Sequence, residues 1–198
     1  MVNPPSSRWT MSTWKDDLRR LFISEIENTM NTEQLNQYFA THHPESYLLH
    51  GLPWFVFGHV SFSKTISHDK KTGPRVRRFA GLMVALAITC GVKQKKLVFF
   101  QNTETKPELD FHHVHFLLGP QSLEKYTAEE ICQRLSDKAT EFGFGQCAFL
   151  PYDPTKDGVG YITKRVYRTL NNGQRQEIAP VFFMSAALKQ ILKQKELI

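Results

Sequence analysis

The chain has 198 residues, of which 41% are hydrophobic and 22% charged, proportions ordinary for a folded globular protein. That length suits one domain with a small extension and a core that needs no staples. A formal net charge of +6 and a pI of about 9.2 fit a polyanionic partner without demanding one.

Three widely spaced cysteines, Cys90, Cys132 and Cys147, form no CxxC pair. This argues for a reducing compartment and against structural zinc. Cys90 and Cys132 fall among apolar residues on predicted helix faces and read as core. The first ten residues contain Pro4 and Pro5 but no apolar run, so they do not read as a signal peptide. The longest apolar stretch, 79–91, is too short to span a bilayer and reads as a buried helix.

Residues 1–12 are rich in Pro and Ser and read as loose. Thr13 is placed to cap a first helix, with Asp16 in its first turn and Leu18, Leu21, Phe22, Ile26 and Met30 on one face. Asn31 with Gln34 marks a second helix start, whose pattern ends by Thr41, and 41–53 looks like a connector. Residues 1–53 are thus expected to form a helical N-terminal extension, packed on or preceding a main domain over 54–198.

At residue 54 the texture changes. The stretch WFVFGHVSFS (54–63) is aromatic and β-branched, alternates from Gly58, and reads as a strand. A polar, basic loop over 64–74 leads into a helix over 76–90, with Gly91 placed to end it. Strands are predicted over 96–102 and 111–118, joined through 103–110 as a hairpin. Thr127 and Glu130 form a capping box, and Tyr126 can staple onto Ile131. Ile131, Leu135, Ala139 and Phe142 then line one helix face, and Gly143 stops it. A fourth strand is predicted over 146–152, a turn through DPTKDGVG, a helix over 161–167 and a terminal helix over 185–195. The middle order of strand, helix, strand, strand, helix, strand, helix predicts an α+β fold. It is an antiparallel sheet flanked by helices, similar to the split βαβ arrangement of ferredoxin-like and RRM-like domains.

Two short patterns carry chemistry. The first is His113-Val114-His115 within FHHVHFLLG. Residues i and i+2 of a strand share a face, so the two imidazoles project side by side at the spacing of neighbouring metal ligands, while Val114 points to the core. His112 faces the other way. A divalent metal needs a third ligand, and carboxylate oxygen suits magnesium and manganese while imidazole favours manganese and other transition ions. The strand before the hairpin is expected to supply it. Glu104 is favoured, because it can lie across from His113; Gln101, Glu108 and Asp110 are rivals.

The second is Tyr161-Ile162-Thr163-Lys164 within GVGYITKRVYR. At i and i+3 of a helix the phenol and the ammonium share a face. Phenols ionise near pH ~10 and are weak nucleophiles at neutrality. A cation beside one favours the phenolate and stabilises charge building on a phosphate. Attack of such a phenol on a phosphodiester gives a covalent phosphotyrosine link. A YxxK pattern alone is common in any sequence, and its plain alternative is a packed Tyr and a solvated Lys.

Taken in order, these motifs resemble the HUH endonuclease family of rolling-circle replication initiators, relaxases and related transposases. FHHVHFLL is similar to the family's His-hydrophobic-His motif, GYITK to its tyrosine motif in the single-tyrosine form, and WFVFGHVSFS to its looser first-strand motif. The resemblance covers residues 54–170. It implies a metal-dependent enzyme, using Mg2+ or Mn2+, that nicks and rejoins single-stranded DNA, or the strand of a DNA hairpin origin, to start rolling-circle replication. His113, His115 and Glu104 would bind the metal. Glu104 lies nine positions before His113, similar to the separation in initiators of small circular-DNA viruses. Tyr161 would be the nucleophile and Lys164 its electrostatic helper. The implied setting is a bacterial or archaeal cytoplasm, or a host nucleus for a eukaryotic virus. Tyr167 does not match the second tyrosine of two-tyrosine members and reads as packing. No P-loop GxxxxGK[ST] occurs in the sequence, so any helicase is expected as a separate host or replicon partner.

Lys64, Lys70, Lys71, Arg75, Arg77 and Arg78 cluster after the first strand, and Lys93, Lys95 and Lys96 form a second group. Such clusters hold phosphates and make binding salt-dependent, or else solubilise a loop. Trp54 and Phe62 are of a type that stacks on bases, but core packing suits both better. Alternative functions are a relaxase or transposase of the same family, a metal-dependent hydrolase without covalent catalysis, and a non-catalytic RRM-like module for single strands. The last fits poorly, because Phe99 and Phe100 are adjacent and face opposite ways.

Overall fold

A computed structural model of the chain describes residues 37, 40–43, 45–62, 72–106, 111–170, 172–178 and 181–195. The helix predicted over 13–30 and most of that over 31–41 lie outside the described residues. In chain order the elements are α1 (Glu45–His50), β1 (Val56–Ser61), α2 (Thr72–Thr89), β2 (Phe99–Lys106), β3 (Phe111–Leu118), α3 (Ala128–Glu141) and β4 (Cys147–Pro151). They are followed by α4 (Gly158–Thr163), β5 (Val166–Thr169), β6 (Arg175–Ile178), β7 (Val181–Met184) and α5 (Ala186–Gln194).

The run from β1 to β4 forms an antiparallel sheet of order β4-β1-β3-β2, with β7 added beside β2. With α2 and α3 as its two crossovers, this is the ferredoxin-like arrangement, an α+β sandwich. No described helix is long and apolar enough to cross a membrane.

Strand alternation gives each sheet face its own core. On one face Val56, Val60, Val114, Phe116 and Leu118 meet Phe79, Leu82, Met83 and Leu86 of α2 and Ile131 and Leu135 of α3. Gly58 is required there: a Cβ at this position would sit 2.1 Å from Cζ of Phe116, whose ring lies over the strand. The start of α3 follows from its capping box, in which the Thr127 N–H donates to Glu130 at 2.8 Å and the Glu130 N–H donates to the Thr127 hydroxyl at 3.2 Å. Cys90 and Cys132 are buried, and all three cysteines are free thiols.

The opposite face carries a second, smaller core. Leu48, Leu49 and Leu52 from α1 and the residues after it, Val159 and Ile162 from α4, and Leu188 and Leu192 from α5 pack on Phe100 and Leu117. Trp54 is buried in this second core, its indole N–H donating to the Leu49 carbonyl at 2.8 Å, and Phe62 is buried in the first. The segment read as a connector over 41–53 therefore holds a helix, whose leucines the sheet needs covered.

Two sequence expectations about the C-terminal third are corrected. The tyrosine helix runs Gly158–Thr163 and not 161–167. Asp157 starts it early by accepting from the Gly160 N–H at 2.9 Å, and Lys164 leaves it in extended conformation (φ −59°, ψ 146°). Tyr167 accordingly lies on strand β5, paired with β6, where Arg175 stacks on its ring at 4.6 Å. Strands β5, β6 and β7 were not expected. The β5–β6 hairpin is short and mostly solvent-facing, so it lacks the apolar alternation that marks a core strand.

Candidate functional site

The site lies on the face of the second core, and the strand register builds it. Across β1, β3 and β2, His59 pairs with His115, which pairs with Asn102. One step along, Ser61 pairs with His113, which pairs with Glu104. Paired residues of antiparallel strands point to the same side, so three imidazoles, a carboxylate and an amide share one small patch.

Strand β2 extends through Lys106, which puts Glu104 inside the ladder opposite His113. Its Oε2 lies 3.2 Å from His113 Nε2, and its Oε1 4.0 Å from His115 Nε2. All three residues are buried, at 8%, 4% and 5% exposure. Of the rivals, Gln101 pairs with Phe116 on the other face and is withdrawn from the site. Glu108 and Asp110 lie outside the described residues, as does the side chain of His112.

Burial pushes the His115 imidazole down to about 3, with the positive field of His113, His59 and Lys164 adding and Glu104 opposing. Burial also lowers His59. For Glu104 burial works against ionisation, but the hydrogen bond with His113 and the fields of His115, His113 and Lys164 prevail and hold it below the usual carboxylate range. A neutral His115 beside an ionised Glu104 is the pairing of protonation states that a metal ion requires of such ligands.

Three imidazoles are placed to hold a metal ion. The ligating atoms of His59, His113 and His115 all lie within 4.8 Å of one another. Two buried atoms aimed into the same patch, Nε2 of His115 and Oε1 of Glu104, have no hydrogen-bond partner among the described residues. Leaving such atoms unmatched costs about 1–3 kcal/mol each, and a bound cation would satisfy both.

Tyr161 reaches this patch from α4. Its ring meets His115 edge-on at 5.0 Å between centroids and Phe57 at 5.9 Å. It remains 45% exposed, so the phenol is open to a ligand from solvent. The ammonium of Lys164 sits 3.9 Å from the Tyr161 ring centroid, although Lys164 is past the end of the helix. The sequence-predicted Glu104, His113, His115, Tyr161 and Lys164 are thus brought together.

Short-range contacts hold α4 in place. Gly160 admits the Asp157 cap, since a Cβ there would lie 2.1 Å from Asp157 Oδ2. The buried Asn102 donates from its side-chain nitrogen to the Ile162 carbonyl at 3.0 Å, pinning the helix to the sheet one residue from the tyrosine. Behind it, the His43 N–H donates to the Thr163 carbonyl at 2.9 Å and the Arg165 N–H to Thr41 at 2.7 Å.

His59 and Asn102 were missed in the sequence. His59 had a signal: it falls on the same parity of β1 as Phe57 and Ser61, the face opposite Val56 and Val60. The pairing register, which the sequence does not contain, is what aligns it with His115.

The basic residues are less convergent. Lys64, Lys70 and Lys71 lie outside the described residues, as does the side chain of Arg75. Arg77 and Arg78 are exposed on α2, in the helical layer across the sheet from the histidines, and Arg78 donates to the Phe142 carbonyl. Lys93, Lys95 and Lys96 are exposed around a 3-10 turn at Gln94–Lys96.

Comparison of the chain with protein-family models, with curated proteins and with solved structures finds no match. What the fold and site define is a ferredoxin-like α+β domain with a candidate metal centre and an adjoining exposed tyrosine.

Proposed function

We propose that the protein is a metal-dependent nicking and joining endonuclease for single-stranded DNA, of the HUH type with one catalytic tyrosine, acting to initiate rolling-circle replication. The observation that carries the reading is the contact of the Tyr161 ring with His115, 5.0 Å between centroids, under the Lys164 ammonium. A nucleophile, a cation and a candidate metal centre then adjoin one another.

In this reading Glu104, His113 and His115 hold Mg2+ or Mn2+, which when bound polarises the scissile phosphate. Tyr161 attacks phosphorus; the new bond joins its phenolic oxygen to the phosphate, and the bond from phosphorus to the 3′-oxygen breaks. The phenolic proton passes to solvent, and the departing 3′-oxygen takes up a proton. The products are a 5′-phosphotyrosine and a free 3′-hydroxyl able to prime synthesis. Lys164 offsets negative charge on the phosphate as the bond forms. The ester keeps the energy of the original linkage, so a 3′-hydroxyl can reverse the step and rejoin the strand.

A base-stacking RRM-like module is less well supported, because His113 and His115, which occupy the stacking positions of central strand β3, are buried and present no free ring face to a base. The test is incubation with a pool of single-stranded oligonucleotides and manganese, read on a denaturing gel. Wild type should give a protein band shifted by attached DNA, lost with chelator and in Tyr161→Phe. An unshifted wild-type band with uncut DNA would reject the reading.

A further inference from the structure

We propose that His59 is itself a metal ligand, so that a three-imidazole site closed by Glu104 selects a transition ion over magnesium. The inference deepens the metal assignment above and shares its centre, but depends on neither Tyr161 nor DNA.

The three rings form a nearly regular triangle. Centroids are 5.2 Å apart for His59 and His113, 4.9 Å for His59 and His115, and 4.7 Å for His113 and His115. Nitrogens bound tetrahedrally to one ion at about 2.1 Å would be roughly 3.4 Å apart. The observed outer limit of 4.8 Å between ligating atoms therefore calls for up to about 1.4 Å of mutual approach by side-chain rotation. All three histidines lie on interior strands, but His113 and His115 are buried while His59 is only partly buried, so its side chain has the room to make most of that adjustment.

Glu104 closes the set from the other flank. β1 and β2 lie on opposite sides of β3, so His59 and Glu104 approach the His113–His115 pair from opposite directions. The carboxylate spacings of 3.2 and 4.0 Å to the two Nε2 atoms are already near the ligand separation on one ion.

Donor chemistry then decides the ion. Magnesium prefers an octahedron of oxygens and keeps several waters. Three imidazole nitrogens and one carboxylate suit manganese, cobalt or zinc. With Glu104, His113 and His115 alone the preference would be weaker, because two nitrogens and one carboxylate leave more positions to water.

The test is calorimetry on the full chain stripped of metal, with Mn2+ and Mg2+ titrated separately, together with the visible absorption of the Co2+ form. His59→Ala removes the ligand, and His59→Phe removes it while keeping a ring against His113 and His115. Wild type should bind Mn2+ at least ~30-fold more tightly than Mg2+. Both variants should lose roughly tenfold or more in Mn2+ affinity, change little toward Mg2+, and alter the cobalt spectrum. Wild-type Mn2+ affinity and an unaltered cobalt spectrum in a folded His59→Phe would overturn the proposal, as would equal affinity of wild type for the two ions. Absence of a Tyr161 adduct with the metal preference intact would instead sink the nicking reading alone.

Discussion

Glu104 and His113 face each other across the β2–β3 ladder, with Oε2 of the carboxylate 3.2 Å from Nε2 of the ring. The contact is buried and joins the acidic residue nine positions upstream to the first histidine of the HxH pair. Glu104→Gln keeps the shape and removes the charge. We expect manganese affinity to fall roughly tenfold or more and adduct formation about 10²-fold, with the fold retained. Gln101→Ala, on the other face, should cost stability but leave metal binding unchanged. Calorimetry of the two variants side by side checks this; equal effects on metal binding would count against Glu104.

In the proposed mechanism Lys164 acts through its charge. Replacing it with Met keeps an unbranched apolar side chain and deletes the ammonium that sits over the Tyr161 ring. The single-turnover rate of adduct formation should drop by about 10–10³-fold, while manganese affinity changes little. A rate equal to wild type would show that the cation over the ring is only packing.

Asn102 positions the tyrosine helix. Asn102→Ala would leave the buried Ile162 carbonyl without its donor, at a cost of about 1–3 kcal/mol in unfolding free energy. Because the lost contact is one residue from Tyr161, adduct formation should slow beyond what the fall in stability explains, with metal affinity preserved. Urea titration and quench-flow measurement together decide it. Lost stability with an unchanged rate would reduce Asn102 to a structural residue.

The ionisation of His115 makes a prediction about acid. Its folded value is about 3, against 6.5 for an unperturbed imidazole, so below pH ~6.5 the unfolded chain takes up a proton that the folded chain refuses. Stability of the metal-free protein therefore falls as pH drops from about 6.5 toward 3, by up to ~1.4 kcal/mol per unit from this residue. Glu104, also lowered in the folded state, adds loss in the same direction as pH falls through the normal carboxylate range. Urea midpoints measured in chelator at pH 7.5, 6 and 5 should decline steadily; a flat series would contradict the burial of a neutral His115.

The parts of the fold legible in the sequence were those where local pattern and tertiary role coincide. The Thr127–Glu130 box announced α3, and alternation announced β1 and β3. The His113 and His115 pair was legible because i and i+2 in a strand need no tertiary knowledge to share a face. Glu104 was within reach for the same reason, since a hairpin fixes which residues lie opposite. His59 was not, because its place beside His115 depends on how β1 docks after an intervening helix. The tyrosine helix was displaced by three residues because Asp157 caps it from a left-handed conformation (φ 44°) that a Gly-rich turn hides. The strands β5 and β6 stayed invisible because they bury little, and β7 because its exposed Val181 and Phe183 blur the inside–outside alternation.

The central claim is that the Tyr161 oxygen becomes bonded to DNA. The most direct measurement is mass spectrometry of proteolysed protein after reaction with a single-stranded oligonucleotide and Mn2+. We predict a peptide containing Tyr161 that carries the mass of a 5′-phosphorylated nucleotide fragment, with release of an oligonucleotide ending in a 3′-hydroxyl. Cleavage of the oligonucleotide with Tyr161 unmodified, or with the adduct on another residue, would contradict the account.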